Sequence, residues 1–123
     1  MSGHDVVVVG GGPGGYATAF RAALRGLDVA LVEQDLLGGT CLQRGCVPSK
    51  AILHVAGVRE ELARTEVLGL EVAVGGLDGQ GLGAFRDGVV TRLTKGLDQL
   101  AAHRTTRVHG RGRLVPAGDG VAV

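Results

Sequence analysis

The sequence predicts an α/β fold with a parallel sheet. Two short valine-rich runs, at residues 4–10 and 28–33, flank a segment with helical periodicity, and two further helical segments precede another short run at residues 106–109. Strands that alternate with helices are typical of parallel sheets, because the connecting helices cover the sheet. With 123 residues, the chain has room for one domain or part of one.

The first strand, helix and second strand are predicted within residues 4–33. The run HDVVVVG favours a strand buried on both faces, and DVALVE favours a second buried strand. Between them, apolar side chains recur every three or four residues over residues 14–27, which is the spacing of one helix face. Gly26 is a typical helix-ending residue. The predicted apolar face consists of Tyr16, Ala19, Phe20, Ala23, Leu24 and Leu27.

The rest of the chain continues the alternation. Residues 34–46 are predicted to form a loop, and Pro48 favours the start of a second helix that ends near residue 64. The glycine-broken residues 68–83 are predicted to be a connection with room for one short strand. A third helix is predicted over residues 82–100, a strand over 106–109, and a hairpin over 114–123 that turns at residues 116–120.

Composition excludes several classes of function. Lysine and arginine number 13 and acidic residues 12, so the charge balance does not indicate nucleic acid or an anionic membrane as a partner. The N-terminal valine run is too short for a signal peptide or a membrane span. We therefore expect a cytoplasmic protein. In the reducing cytosol, a single disulfide is more often catalytic or redox-sensing than structural.

A glycine motif marks the junction between the first strand and the first helix. Gly10, Gly12 and Gly15 satisfy G-x-G-x-x-G. In this context the glycines allow a tight turn, close approach of a pyrophosphate, and close packing of helix on strand. Glu33 follows Gly15 by eighteen residues, where an acidic group can bind ribose hydroxyls. Because the chain contains 23 glycines, the pattern of glycines alone is weak evidence, and the predicted strand before it and helix after it carry more weight. The motif does not distinguish FAD from NAD.

The two cysteines, Cys41 and Cys46, allow three interpretations. A zinc site usually needs four ligands at recognisable spacing, and the four histidines lack such spacing, so we expect no metal. A structural disulfide would close a loop of about six residues and stabilise the fold by about 2 kcal/mol. A redox pair is the third interpretation. The four histidines are His4, His54, His103 and His109.

The predicted helix start at Pro48 favours the redox interpretation. Cys46 lies near this helix N-terminus, where the helix dipole stabilises a thiolate, whereas Cys41 is expected to be the more ordinary thiol. Two thiols in different environments can divide the work of thiol exchange and electron transfer. Lys50 adds a cation one turn into the helix, or is simply a solvated helix residue.

The two motifs together resemble one enzyme family. The segments VVVVGGGPGGYATAFRAALRG and LVEQDLLGGTCLQRGCVPSKAILH closely resemble the N-terminus of the FAD-dependent pyridine nucleotide–disulfide oxidoreductases. Within that family, SKAILHVA, RLTKGLDQL and HGRGRLV are similar to segments of the dihydrolipoyl dehydrogenase branch. Glutathione and mercuric reductases share the cysteine motif and match less well outside it. Gln43 stands where asparagine is usual.

This resemblance implies a Rossmann-like FAD-binding domain. Cys41 would be the interchange thiol attacked by dihydrolipoamide of 2-oxoacid dehydrogenase complexes, and Cys46 the thiolate that faces the flavin and passes it the electron pair. Reduced flavin would then pass a hydride to NAD. Glu33 would bind the adenosine ribose and Gly112 the adenine. The pyrophosphate site would comprise Gly10, Gly12, Pro13, Gly14 and Gly15, and the flavin side Gly39, Thr40 and Lys50.

The resemblance also implies that residues 1–123 are the incomplete, N-terminal part of a FAD-binding domain that carries the redox-active disulfide. The NAD domain and the interface domain of the family have no counterpart here, and the complete enzyme would be a homodimer. Alternatives are a non-catalytic FAD-binding or thiol-sensing module, another family member such as mercuric or glutathione reductase, and a truncated protein without activity.

Overall fold

The computed structural model describes residues 3–118 and 120–123. A three-stranded parallel sheet has the order β1, β2, β3, so β2 is the central strand. A separate antiparallel hairpin, β4 and β5, follows it. The predicted α/β fold with a parallel sheet is confirmed. The strands are β1 (Val6–Val9), β2 (Val29–Glu33), β3 (Thr106–His109), β4 (Val115–Ala117) and β5 (Gly120–Ala122), and the helices are α1 (Pro13–Ala23), α2 (Gly39–Gln43), α3 (Cys46–Ala63) and α4 (Gly79–Arg104).

The main core cluster lies on one face of the sheet, and β2 is buried on both faces as predicted, since Ala30 and Val32 are 3% and 7% exposed. Val29 and Leu31 of β2 are each 1% exposed, and they pack with residues of α1 and α4. The prediction that β1 is buried on both faces is wrong, because Val7 and Val9 are 39% and 48% exposed. These two side chains alternate with Val6 and Val8, which pack on the core cluster, so β1 is half-covered.

Several predicted boundaries differ from the structure. The predicted loop at residues 34–46 contains the short helix α2, and α3 begins at Cys46, two residues before Pro48. Helix α4 begins at Gly79, because the Asp78 side chain caps it by accepting a hydrogen bond from the Gln80 N–H (3.0 Å). Residues 70–78 form neither helix nor strand, so the short strand allowed there is not found.

The predicted end of α1 is too late, because Leu24 and Leu27 of its predicted apolar face lie beyond the helix and are 60% and 41% exposed. Helix α1 ends at Ala23, and Gly26 in the following turn has a φ of 86°, a conformation that favours glycine. The predicted C-terminal hairpin is present, although Asp119 of its turn lies outside the described residues. No helix in the described part of the chain is long and apolar enough to span a membrane.

Candidate functional site

The glycine turn between β1 and the start of α1 combines close backbone packing with open space. Gly10 has a φ of 102°, and a Cβ at Gly15 would overlap the carbonyl oxygen of Gly10. In contrast, a Cβ at Gly12 or Gly14 would meet no atom within 4 Å. Helix α1 begins at Pro13, so the N–H groups of Gly14 and Gly15 have no intrahelical acceptor. The turn therefore leaves open space beside free N–H donors, the two features by which helix N-termini accommodate anions.

Glu33, the last residue of β2, lies beside this turn. Its Oε2 accepts a hydrogen bond from the Gly11 N–H (2.6 Å), and its Oε1 accepts one from the Asp35 N–H (2.9 Å). Partial burial disfavours the carboxylate, but hydrogen bonds from the backbone N–H groups of Gly11, Asp35 and Gln34 outweigh it and hold the pKa of Glu33 below its ordinary value. Each oxygen keeps lone-pair capacity for another donor.

Gly112 joins the same site. It lines a cleft of about 270 Å³ together with Val9, Gly10 and Glu33. A Cβ at Gly112 would lie 2.8 Å from the Cγ1 atom of Val9, so glycine is also needed for the chain to cross the end of β1. The structure thus brings Gly10, Glu33 and Gly112 together at the carboxyl end of the parallel sheet, where ligands bind in open α/β sheets.

The helix that carries Cys41 begins directly on the glycine turn. The Gly38 N–H donates a hydrogen bond to the Gly11 carbonyl (2.8 Å), and a Cβ at Gly39 would lie 3.0 Å from the Gly12 Cα. Gly38 has a φ of 98°, which favours glycine at the start of α2. The glycine motif and the cysteine motif therefore form one continuous site.

Both cysteines are free thiols, with Cys41 half-buried and Cys46 exposed. A hydrogen bond with the Cys46 side chain and partial burial raise the pKa of Cys41, and they outweigh the Cys46 N–H and the Lys50 cation, which lower it. Because the Cys46 N–H belongs to the first residue of α3, Cys41 also lies at this helix start. This corrects the expectation that only Cys46 is near it.

The other predicted residues of the cysteine segment are accessible. Thr40 in α2 is exposed, and Lys50 is exposed one turn after Cys46 on the same face of α3. Among residues 3–118 and 120–123, no three histidine, cysteine or acidic side chains lie close enough to hold a metal ion.

Sequence reasoning missed two residues that hold the site together. Gly11 is buried and donates its N–H to Glu33, and a Cβ there would overlap the Leu37 side chain. Leu37 is 1% exposed although it lies in the predicted loop. The only sequence signal was the pair of leucines in a loop, since one of two adjacent apolar residues commonly faces the core.

A family model described as pyridine nucleotide-disulphide oxidoreductase matches residues 4–120. The chain belongs to this family. The resemblance found in the glycine and cysteine motifs is therefore confirmed by a match that extends over almost all of the sequence.

Known proteins of this family align closely with the chain. Dihydrolipoyl dehydrogenase 2 of Haloarcula marismortui is 46% identical over 80% of the chain and 21% of that protein. Dihydrolipoyl dehydrogenase of Halobacterium salinarum is 44% identical over 97% of the chain and 27% of that protein. Leghemoglobin reductase of Glycine max is 42% identical over 91% and 22%. The chain thus spans about a quarter of the length of these relatives.

Proposed function

We propose that the protein forms the flavin and disulfide half-site of a dihydrolipoyl dehydrogenase. In this proposal, Cys41 and Cys46 oxidise dihydrolipoamide of 2-oxoacid dehydrogenase complexes, FAD is the bound cofactor, NAD is the final acceptor, and the complete enzyme is a homodimer. The observation that carries the proposal is the 2.8 Å hydrogen bond from the Gly38 N–H to the Gly11 carbonyl, which joins the cysteine helix to the glycine turn.

The residues at the turn fit the cofactor. The open space at Gly12 and Gly14 suits a pyrophosphate, and the remaining lone pairs of Glu33 suit ribose hydroxyls. Gly10, Pro13 and Gly15 shape the turn. The adenine would lie in the cleft at Gly112, and the flavin half along Gly39, Thr40 and Lys50.

The cysteines would react by thiol–disulfide exchange. One dihydrolipoamide thiolate attacks the Cys41 sulfur of the Cys41–Cys46 disulfide, which forms a mixed disulfide and releases the Cys46 thiolate. The second lipoyl thiolate then attacks the lipoyl sulfur of this mixed disulfide. The attack closes the lipoamide ring and releases the Cys41 thiolate, which takes up a proton. Two electrons pass from the substrate to the cysteine pair, and bound FAD would supply their next acceptor.

The electrostatics supports this division of roles. The interaction with the Cys46 side chain raises the pKa of Cys41 and so favours its protonated form. Cys46 lies at the N-terminus of the 18-residue helix α3, and Lys50 lies one turn further along the exposed face. A negative charge is favoured at that position by the helix dipole.

The test is an absorbance titration of the protein with FAD, before and after reduction by a dithiol. We expect a long-wavelength charge-transfer band after reduction, because the Cys46 thiolate then faces the flavin. Cys46→Ser should lose this band. The matched variant Cys41→Ser should show it without added dithiol. Bound flavin without the band in either reduced wild-type protein or Cys41→Ser would refute the role of Cys46.

A further inference from the structure

Gln43 links the cysteine segment to a distant helix. It lies in α2, two residues after Cys41, and its side-chain Nε2 donates hydrogen bonds to the Leu37 carbonyl (2.7 Å) and to the Thr94 Oγ1 (3.0 Å). Leu37 belongs to the same loop, whereas Thr94 lies 51 residues further along the chain, in α4. The amide thus connects two parts of the fold that are remote in sequence.

Thr94 is well suited to receive this hydrogen bond. It is 9% exposed, and its hydroxyl donates to the Val90 carbonyl (2.9 Å), which leaves a lone pair of Oγ1 for the Gln43 amide. The three hydrogen bonds among Gln43, Leu37, Thr94 and Val90 form a chain in which every donor has an acceptor. Partly buried networks of this kind hold their members in a defined geometry.

Helix α2 depends on such contacts, because five residues are too few for a helix that is stable by itself. Its anchors are the buried side chain of Leu42, which packs in the same core cluster as Leu97, and the Gln43 amide. Cys46 lies at the start of α3, and α3 also packs along α4. Helix α4 therefore supports both elements that carry the cysteines.

We propose that the Gln43–Thr94 hydrogen bond positions Cys41 against Cys46 and thereby favours closure of their disulfide. Gln43 and Thr94 act here as positioning residues, because neither side chain carries a reacting atom. Holding two thiols at a productive geometry raises their effective concentration. The inference rests on the proposed function, since it assumes that the two cysteines form a redox couple.

The measured quantity is the equilibrium constant for disulfide closure. The protein dithiol reacts with oxidised dithiothreitol to give the protein disulfide and reduced dithiothreitol, so two electrons and two protons pass to the reagent. If the Gln43–Thr94 hydrogen bond has a purely structural role, it stabilises the dithiol and disulfide forms equally, and its removal leaves this constant unchanged. If it positions the cysteines, its removal lowers the constant.

The variants are Thr94→Val, Gln43→Met and their combination. Valine is close in shape to threonine, and Thr94→Val removes two hydrogen bonds, the one from the Gln43 amide and the one within α4 to the Val90 carbonyl. It should lower the constant about fivefold to tenfold, the scale of one hydrogen bond. A tenfold change corresponds to about 30 mV in the reduction potential. Gln43→Met should have at least this effect, and the double variant should match Gln43→Met, because the same hydrogen bond is lost.

Thr105→Val is the matched control. The Thr105 hydroxyl also donates to a carbonyl four residues earlier, that of Ala101 (2.9 Å), but Thr105 has no hydrogen bond to α2. This variant should leave the constant unchanged. The positioning role alone would be overturned if wild-type protein and all three variants at Gln43 and Thr94 form the disulfide with equal constants. Wild-type protein that forms no Cys41–Cys46 disulfide would overturn the proposed function as well.

Discussion

Alanine at Gly15 and alanine at Gly12 are expected to have opposite consequences. Gly12 is the N-cap of α1 and Gly15 lies in its first turn, and both are predicted to serve the cofactor. In the structure, however, a Cβ at Gly15 would overlap the Gly10 carbonyl oxygen, whereas a Cβ at Gly12 would meet no atom within 4 Å. The first glycine is thus required by the fold, and the second is available for a ligand.

The cost of Gly15→Ala follows from these contacts. Overpacking a tight site costs about 3 kcal/mol when the obstructing atom cannot move easily. The obstruction here is a backbone carbonyl, so relief requires a shift of α1 away from the turn. Alanine regains about 1 kcal/mol through its higher helix propensity. The net loss in the free energy of unfolding should be about 2 kcal/mol.

Gly12→Ala should leave the fold almost unchanged. Gly12 has a φ of −70° and a ψ of −178°, which alanine adopts without strain. Because alanine is a poorer N-cap than glycine, the loss should be about 0.5 kcal/mol. The new methyl group would occupy the space proposed for the pyrophosphate. Flavin affinity should therefore fall at least about tenfold, or about 1.4 kcal/mol.

Urea unfolding followed by circular dichroism measures the stability of each variant, and flavin fluorescence measures binding. Wild-type stability in Gly15→Ala would refute the packing argument. Wild-type flavin affinity in Gly12→Ala would refute the assignment of the open space to the pyrophosphate.

Three further predictions test other parts of the site. Leu37→Ala should lower the free energy of unfolding by about 3 kcal/mol in urea melts, whereas Leu36→Ala, at a side chain 53% exposed, should stay within about 0.5 kcal/mol. Because the pKa of Glu33 is lowered by folding, its carboxylate stabilises the fold at pH values above its unfolded-state pKa, and this contribution disappears as the pH falls through the folded-state pKa. Glu33→Gln should therefore flatten the acid side of the stability profile, and an unchanged slope would contradict the assignment. Cys46→Ala should lower the pKa of Cys41, because the hydrogen bond that chiefly raises it is lost, and iodoacetamide kinetics against pH would show this as faster alkylation.

The strands and long helices follow from local patterns, and they were predictable for that reason. The valine runs and the three-to-four spacing in α1 are visible within short windows of sequence. The short helix α2 was not predictable, because its N-cap and its first residue are both glycine and it spans only five residues. Its stability comes from the burial of Leu42 and from the hydrogen bond of Gln43 to Thr94, 51 residues away.

The candidate site likewise contains residues that the sequence predicts and residues that only the fold reveals. Gly10, Gly15, Glu33 and the cysteine pair are recognisable as motifs, because a phosphate turn and a thiol pair need particular residue types at particular spacings. Gly11 was not predicted, because its importance comes from the hydrogen bond that its N–H donates to Glu33 at the end of another strand.

The residues alone were therefore sufficient for the α/β class, the family and the two separate motifs, all of which depend on residue type and short-range order. Folding decided the rest. It placed β2 in the centre and left one face of β1 half-covered, and it brought the Gly38 N–H against the Gly11 carbonyl so that the motifs became one site. The physical reason is that contacts across the sheet and between helices depend on how the elements pack, which no window of sequence contains.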